Sequence, residues 1–358
     1  MVVPARAGRL TEALGPDAGG AVMATGIVSV AMYADGRVTL SRALLTLTAI
    51  GWGVLGVVCL HRALVDRPRW REEARQPSSL AAVAGTAVLG VRLTVLGWSW
   101  AGCTLLAIAT GLCLILLGDV WKARVLPLTG AAFLVVVAPQ SLAVLAAALA
   151  QRLVLGWLGF GGLLLFAFAL GGYVVVLARF EFAQLRLGAG DHWVSAGALA
   201  ISTLACAENA RAAGMVRALS ALHDPLRVSS VVLSLLTIAW LPALIGAEAL
   251  WTRPRYDVRR WATVFPLGMY SIMGITVGAV TGLTWMRDFG RIWAWVALAA
   301  WIATAIGAAR AIRGLGSRPV PSSAPRLAGQ QPAERPSADR SLRRSDRQRR
   351  SGRRGSET

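Results

Sequence analysis

Few residues in this chain are of a type that does covalent chemistry. The three histidines, His61, His192 and His223, are scattered, and Cys59, Cys103, Cys113 and Cys206 lie in apolar segments without a CxxC pair. No GxSxG, HExxH or Walker lysine occurs. The chain is therefore not expected to be an enzyme, and no cofactor or metal is expected. What it offers instead is the chemistry of a passage. Trp261 to Gly282 carries no charge, contains Pro266, repeats glycine at Gly274, Gly278 and Gly282, and adds hydroxyls at Thr263, Ser271, Thr276 and Thr281. Proline removes a helix hydrogen bond, and the glycines bare a strip of backbone. A bilayer tolerates such a helix only where neighbours or a water-filled cavity satisfy the freed groups. This predicts an interior helix beside a solute path. Arg92 is the one basic residue inside an apolar segment, where a charge is costly and points to function. It also stands near enough to the segment's end to snorkel to the interface.

Composition supports a membrane protein. The chain has 358 residues, 56% hydrophobic and 15% charged, with mean hydropathy +0.58; soluble domains are about 25% charged. The net charge of +19 is distributed against nucleic-acid binding: eleven arginines and four acids lie in 314–358, and much of the rest in short loops. Charge-free runs fall at 18–34, 43–60, 76–91, 93–118, 125–151, 153–178, 193–207, 228–247, 261–286 and 292–309. The third and fourth, together too long for one helix, are expected to break at Gly97-Trp98-Ser99-Trp100. The seventh reaches the roughly 17–25 residues needed to span a bilayer only by taking in His192 and Glu208 or Asn209.

The reading is an all-α polytopic membrane protein of ten transmembrane helices. Residues 1–15 form a cytoplasmic N-terminus, 16–313 the membrane domain, and 314–358 a disordered basic cytoplasmic tail, poor in large apolar residues. That tail reads as a solvated segment that helps set topology; attraction to anionic headgroups, at about 1 kcal/mol per basic residue near the surface, is the alternative. Asp17 before the first segment argues for an uncleaved helix over a signal peptide. Basic loop residues favour a plasma-membrane protein with both termini cytoplasmic. Arg62, Arg67, Arg69, Arg71, Arg75, Lys122, Arg124, Arg179, Arg186 and Arg253 to Arg260 outweigh Arg37, Arg42, Arg152, Arg211, Arg217, Arg227, Arg287 and Arg291. Odd-numbered segments are rich in small and polar residues, the fourth and tenth in Leu, Ile, Ala and Trp.

Gly15-Pro16 followed by Val22-Met23-Ala24-Thr25-Gly26-Ile27-Val28-Ser29 resembles the first-helix signature of the tellurite-resistance/C4-dicarboxylate transporter family. TehA-like proteins, fungal malate and sulfite exporters and plant slow anion channels belong to it. Trp261 to Tyr270 is similar to its ninth helix, with an aromatic-Pro step at Phe265-Pro266, and His192-Trp193 with Gly197 to Leu204 to its seventh. This chain departs from the pattern after the first proline, where an aromatic is missing, and at Ala24, where the family has glycine.

The resemblance implies five hairpins around a central pore, odd helices inside, with a pore in each protomer of a homotrimer. It implies a gate at Phe265 and Pro266, and transport of small anions such as malate and other C4-dicarboxylates, sulfite, tellurite, chloride or nitrate. Thr25, Gly26, Arg92, Pro139, Gly197, Gly274 and Gly278 are expected along the anion path. The partners are small anions, the lipid bilayer and further copies of the chain, with no nucleic acid. A non-transporting membrane assembly protein and a membrane-embedded enzyme are the alternatives.

Overall fold

Each of the ten apolar runs forms a helix. The computed structural model describes residues 15, 17–123, 129–187, 190, 192–251 and 256–316. The expectations for residues 1–14, Pro16, Arg124, Arg253, Arg255 and 317–358 fall outside them. The long helices are α1 (Ala18–Ala34), α2 (Val38–Val65), α3 (Ala81–Val95), α4 (Ser99–Ala123), α5 (Leu134–Leu153), α6 (Gly156–Ala178), α7 (Trp193–Met215), α8 (His223–Ala239), α9 (Trp261–Thr281) and α10 (Thr284–Gly316). After a break at Trp240, α8 is continued by the helix Leu241–Leu250, with Pro242 in its first turn. No strand occurs among the described residues.

The predicted break between the third and fourth runs falls where expected. Gly97 takes a left-handed φ of +92°, and the Trp98 N–H turns back onto the Leu93 carbonyl at 2.9 Å. That bond satisfies one of the carbonyls left over at the end of α3.

Eight helical stretches are long and apolar enough to cross a bilayer. The two exceptions are instructive. α1 has 17 residues, which at ~1.5 Å per residue reach about 25 Å, short of a ~30 Å hydrocarbon core. α7 is long enough at 23 residues, but it runs through Glu208 and Arg211 to Met215 and is not among the eight.

Burial divides the helices by parity. The apolar windows of α3, α5 and α9 are 67%, 89% and 78% buried, whereas those of α2 and α10 are 17% buried. Almost every residue of α7 and most of α1 are buried as well. Packing gives the order. α1 lies against α3, α3 against α5, α5 against α7, α7 against α9, and α9 against α1, which closes a ring of five. Each even helix packs on the odd helix before it. Polar bonds stitch neighbouring hairpins: Trp52 Nε1–H to Thr86 Oγ1 at 2.9 Å, Gln140 Nε2–H to Ser202 Oγ at 3.0 Å, Tyr270 O–H to the Thr237 carbonyl at 2.8 Å, and Trp301 Nε1–H to Thr25 Oγ1 at 2.9 Å. Interhelical bonds of this kind average only about 0.6 kcal/mol each, so close packing carries most of the association.

The glycine strip of α9 shows that close packing. A Cβ at Gly274 would stand 2.9 Å from the backbone of Gly290 and from the Met286 carbonyl, and one at Gly278 would stand 2.7 Å from the Arg287 nitrogen. The strip is therefore the seat of α10, and these glycines do not form a bare wall.

Candidate functional site: a vestibule inside the five-helix ring

A cavity of about 520 Å³ lies within the ring. It is lined by α1, α3, α5, α7 and α9, and no residue of an even helix contributes. Its lining positions run from near the middle of each of these helices to its C-terminal end, so the five run in the same direction and the mouth lies at their C-terminal ends.

The wall follows helical spacing. On α9 it uses Met269, Ile272, Thr276 and Ala279; on α7 Ile201, Leu204, Glu208, Arg211 and Met215; on α1 Ile27, Val30 and Ala34, with Tyr33. Steps of three and four keep such residues on one face. The deep end is apolar, formed by Ile27, Val88, Ile201 and Met269 with Ser141. The outer part is polar, with Tyr33, Gln151, Arg152, Glu208 and Arg211.

Below the cavity floor the same stripes continue one turn toward the helix N-termini. On α9 the next position is Phe265, four residues before Met269; on α7 it is Gly197, four before Ile201. Both are buried, Phe265 completely, and they meet. A Cβ at Gly197 would lie 3.3 Å from Phe265 Cε1 and 2.8 Å from Pro266 Cγ. The corresponding positions on α1, α3 and α5 are Met23, Ala84 and Val137, all buried. At this level the Phe265 ring lies against the space that Gly197 leaves.

Electrostatics differ between the two ends. The Glu208 carboxylate accepts from Gln151 Nε2–H at 2.8 Å and from Arg211 Nη1–H at 3.2 Å. Arg152 is exposed at the mouth, so the wall carries two arginines against one carboxylate. Elsewhere on the wall, the Thr94 and Ser141 hydroxyls donate to the carbonyls of Gly90 and Ala138 in their own helices, at 2.8 and 2.6 Å. The wall thus offers positive potential more than free hydrogen-bond donors. Replacing both Arg152 and Arg211 by Gln should cut initial anion uptake about threefold or more at low ionic strength, with the deficit fading at high salt. Stopped-flow uptake across a salt series checks this.

The sequence model of the voltage-dependent anion channel family matches residues 14–309 of this chain, from before α1 into α10. The chain belongs to that family. Two uncharacterized membrane proteins, from two strains of Mycobacterium tuberculosis, are each 30% identical to it over 138 residues, which is 36% of this chain and 69% of each relative. Together with the eight apolar helices, these relations make it a multi-pass membrane protein.

For this member of the anion channel family, several sequence expectations are relocated by the structure. Phe265, Pro266 and Gly197 come together below the vestibule. Thr25, Gly26, Gly274 and Gly278 do not line it. Thr25 accepts the indole N–H of Trp301 on α10, and Gly26 is pressed by Val88 on α3 and Thr48 on α2. These positions are small because another helix crosses there. Pro139 is buried within α5, outside the lining. Arg92 is 1% exposed and lies off the wall, its guanidinium carbon 4.0 Å above the Tyr33 ring. It turns inward to the α1–α2 contact and does not snorkel, since its Nε–H and Nη2–H donate to Ser41 Oγ at 3.2 and 3.0 Å.

The polar rim is hidden in the sequence, because its charges coincide with the end of the seventh apolar run. Extending the stripe 197, 201, 204 by helical spacing would have found Glu208 and Arg211.

Proposed function

We propose that this chain forms an anion-selective path through the middle of its five-helix ring, closed at Phe265. The observation that carries the reading is the cavity to which all five odd helices contribute and no even helix does, and which stops one turn above a fully buried phenylalanine. Membership of the voltage-dependent anion channel family supports the class of solute. Small anions enter at the arginine rim, cross an apolar throat, and pass when the ring of Phe265 moves aside. A narrow apolar constriction excludes water and ions until it widens, and moving a neutral ring costs less than moving a charge.

The finer parts of the reading go with it. Ten crossings, both termini cytoplasmic and the mouth on the opposite face are supported by the ring order and the loop charges; the homotrimer follows from the family resemblance. Glu208 is the only acid on the wall, and it is already held by Gln151 and Arg211. That favours an uncoupled path over a proton-coupled carrier. The candidate solutes are malate and related dicarboxylates, sulfite, tellurite, chloride and nitrate. Flux of this panel into liposomes holding the purified protein, with and without a pH gradient, is expected to be anion-selective and indifferent to the gradient. Equal passage of cations, or no passage even in an opened gate variant, would contradict the proposal.

A further inference from the structure

Arg92 is a buried cation whose charge no acidic side chain meets among the described residues. Its Nε–H and Nη2–H share one neutral acceptor, the Ser41 hydroxyl, and Nη1 has no hydrogen-bond partner among the described residues. No carboxylate lies within ion-pair distance of it among those residues, and the nearest acid along α1, Asp35, faces Arg37 at 3.6 Å and Arg291 at 3.9 Å. Ser41 in turn donates to the Ser29 carbonyl at 2.7 Å, so the only acceptor is itself fixed by the α1–α2 contact. A lone guanidinium at 1% exposure is costly in a bilayer, and the structure stops short of using it directly. Tyr33 lies between. One face of its ring covers the guanidinium, while the side chain, 37% exposed, lines the vestibule.

We propose that Tyr33 is a spacer and Arg92 the charge behind it: the guanidinium sets the potential of the vestibule, and the phenol ring keeps a passing anion from bonding to it. The inference rests on the anion path proposed above and adds a specificity-determining pair to it. The physical need is clear. Conduction requires a site that favours entry yet releases its ion. A bare guanidinium with a free N–H would hold an anion by charge-assisted hydrogen bonds, the strong kind. With a ring in between, the attraction works over the thickness of an aromatic layer, and no bond has to be broken for the ion to leave. The ring pays part of the cation's desolvation by presenting its electron-rich face. An inorganic monovalent anion such as nitrate fits the chemistry: compact, singly charged, and held by potential.

The test measures binding separately from flux. The full chain, purified in detergent, is titrated with sodium nitrate replacing sodium gluconate at constant ionic strength, and nitrate-dependent thermal stabilisation is followed. Tyr33→Ala should lower the half-saturating nitrate concentration about tenfold, the gain expected of one new charged hydrogen bond. Tyr33→Phe should leave it unchanged. In Tyr33→Ala with Arg92→Gln the gain should vanish, and Arg92→Gln alone should bind more weakly than the native protein. Unchanged binding in Tyr33→Ala, or a gain that survives Arg92→Gln, overturns the proposal. Should Tyr33→Ala fail to fold, Arg92→Gln decides, because native-like binding in that variant overturns it too. Failure of the anion path would instead appear as absent flux in liposomes, whatever the binding result.

Discussion

Replacing Phe265 by Ala should raise anion flux about tenfold or more, since each ~1.4 kcal/mol removed from a barrier is a factor of ten in rate. Phe265 is fully buried and continues the lining stripe of α9 below the floor of the vestibule. Gly197, which the ring faces directly, has no side chain to fill the gap once the ring is gone. Truncation therefore leaves an opening in the throat where a soluble core would merely gain a void. The cost falls on stability, because a buried Phe→Ala typically loses about 3–5 kcal/mol. Expression and monodispersity must be followed beside flux, and Phe265→Leu serves as a milder companion with intermediate flux. The measurement is the rate of chloride or nitrate entry into liposomes per reconstituted protein. Unchanged flux in well-folded variants would remove Phe265 from the path and leave it a packing residue beside Pro266.

The second large effect is on assembly of the α9–α10 hairpin. A Cβ at Gly290 would lie 2.5 Å from both the Ser271 carbonyl oxygen and the Ile275 nitrogen. These are backbone atoms of a helix, so no rotamer change can relieve the overlap. Gly290→Leu should force the two helices apart and cost about 3 kcal/mol, the upper end of overpacking penalties, or more. Gly111→Leu is the matched control, because a Cβ there meets nothing within 4 Å. Thermal unfolding in detergent should show a clear loss for Gly290→Leu and little change for Gly111→Leu. Equal midpoints would mean that the hairpin is not packed backbone to backbone.

Much of the architecture was legible because membranes make simple demands. Apolar runs mark helices, as at 18–34 and 153–178, which hold α1 and α6, and Gly97 marks the break between two that share one long run. The small and polar residues of the odd helices, set against the Leu, Ile, Ala and Trp of α4 and α10, matched the division between buried and exposed, although α2 and α6 also carry several glycines. Small residues, however, serve two ends that sequence does not separate. Gly197 makes room for the Phe265 ring, whereas Gly274 makes room for Gly290 on the next helix; spacing alone is the same for both. Charge misled in the opposite sense. Charges at Glu208 and Arg211 mark the end of the seventh apolar run, yet α7 carries them along the cavity wall, where they pair with each other and Glu208 also accepts from Gln151. Arg92 was rightly singled out as unusual, but its burial behind Tyr33 depends on the crossing of α1, α2 and α3, which no local pattern encodes.

The central claim is that anions travel through the space enclosed by the five odd helices. The most direct test places a cysteine on its wall at Thr276, in a Phe265→Ala chain whose Cys59 and Cys103, the half-buried and the exposed cysteine, have been changed to Ser. Labelling Cys at this position with a negatively charged methanethiosulfonate fills the vestibule with bulk and opposing charge. The account predicts that quantitative labelling abolishes most of the anion flux and that a reducing agent restores it. Full flux through a fully labelled protein would contradict it, because the ions would then be taking another route.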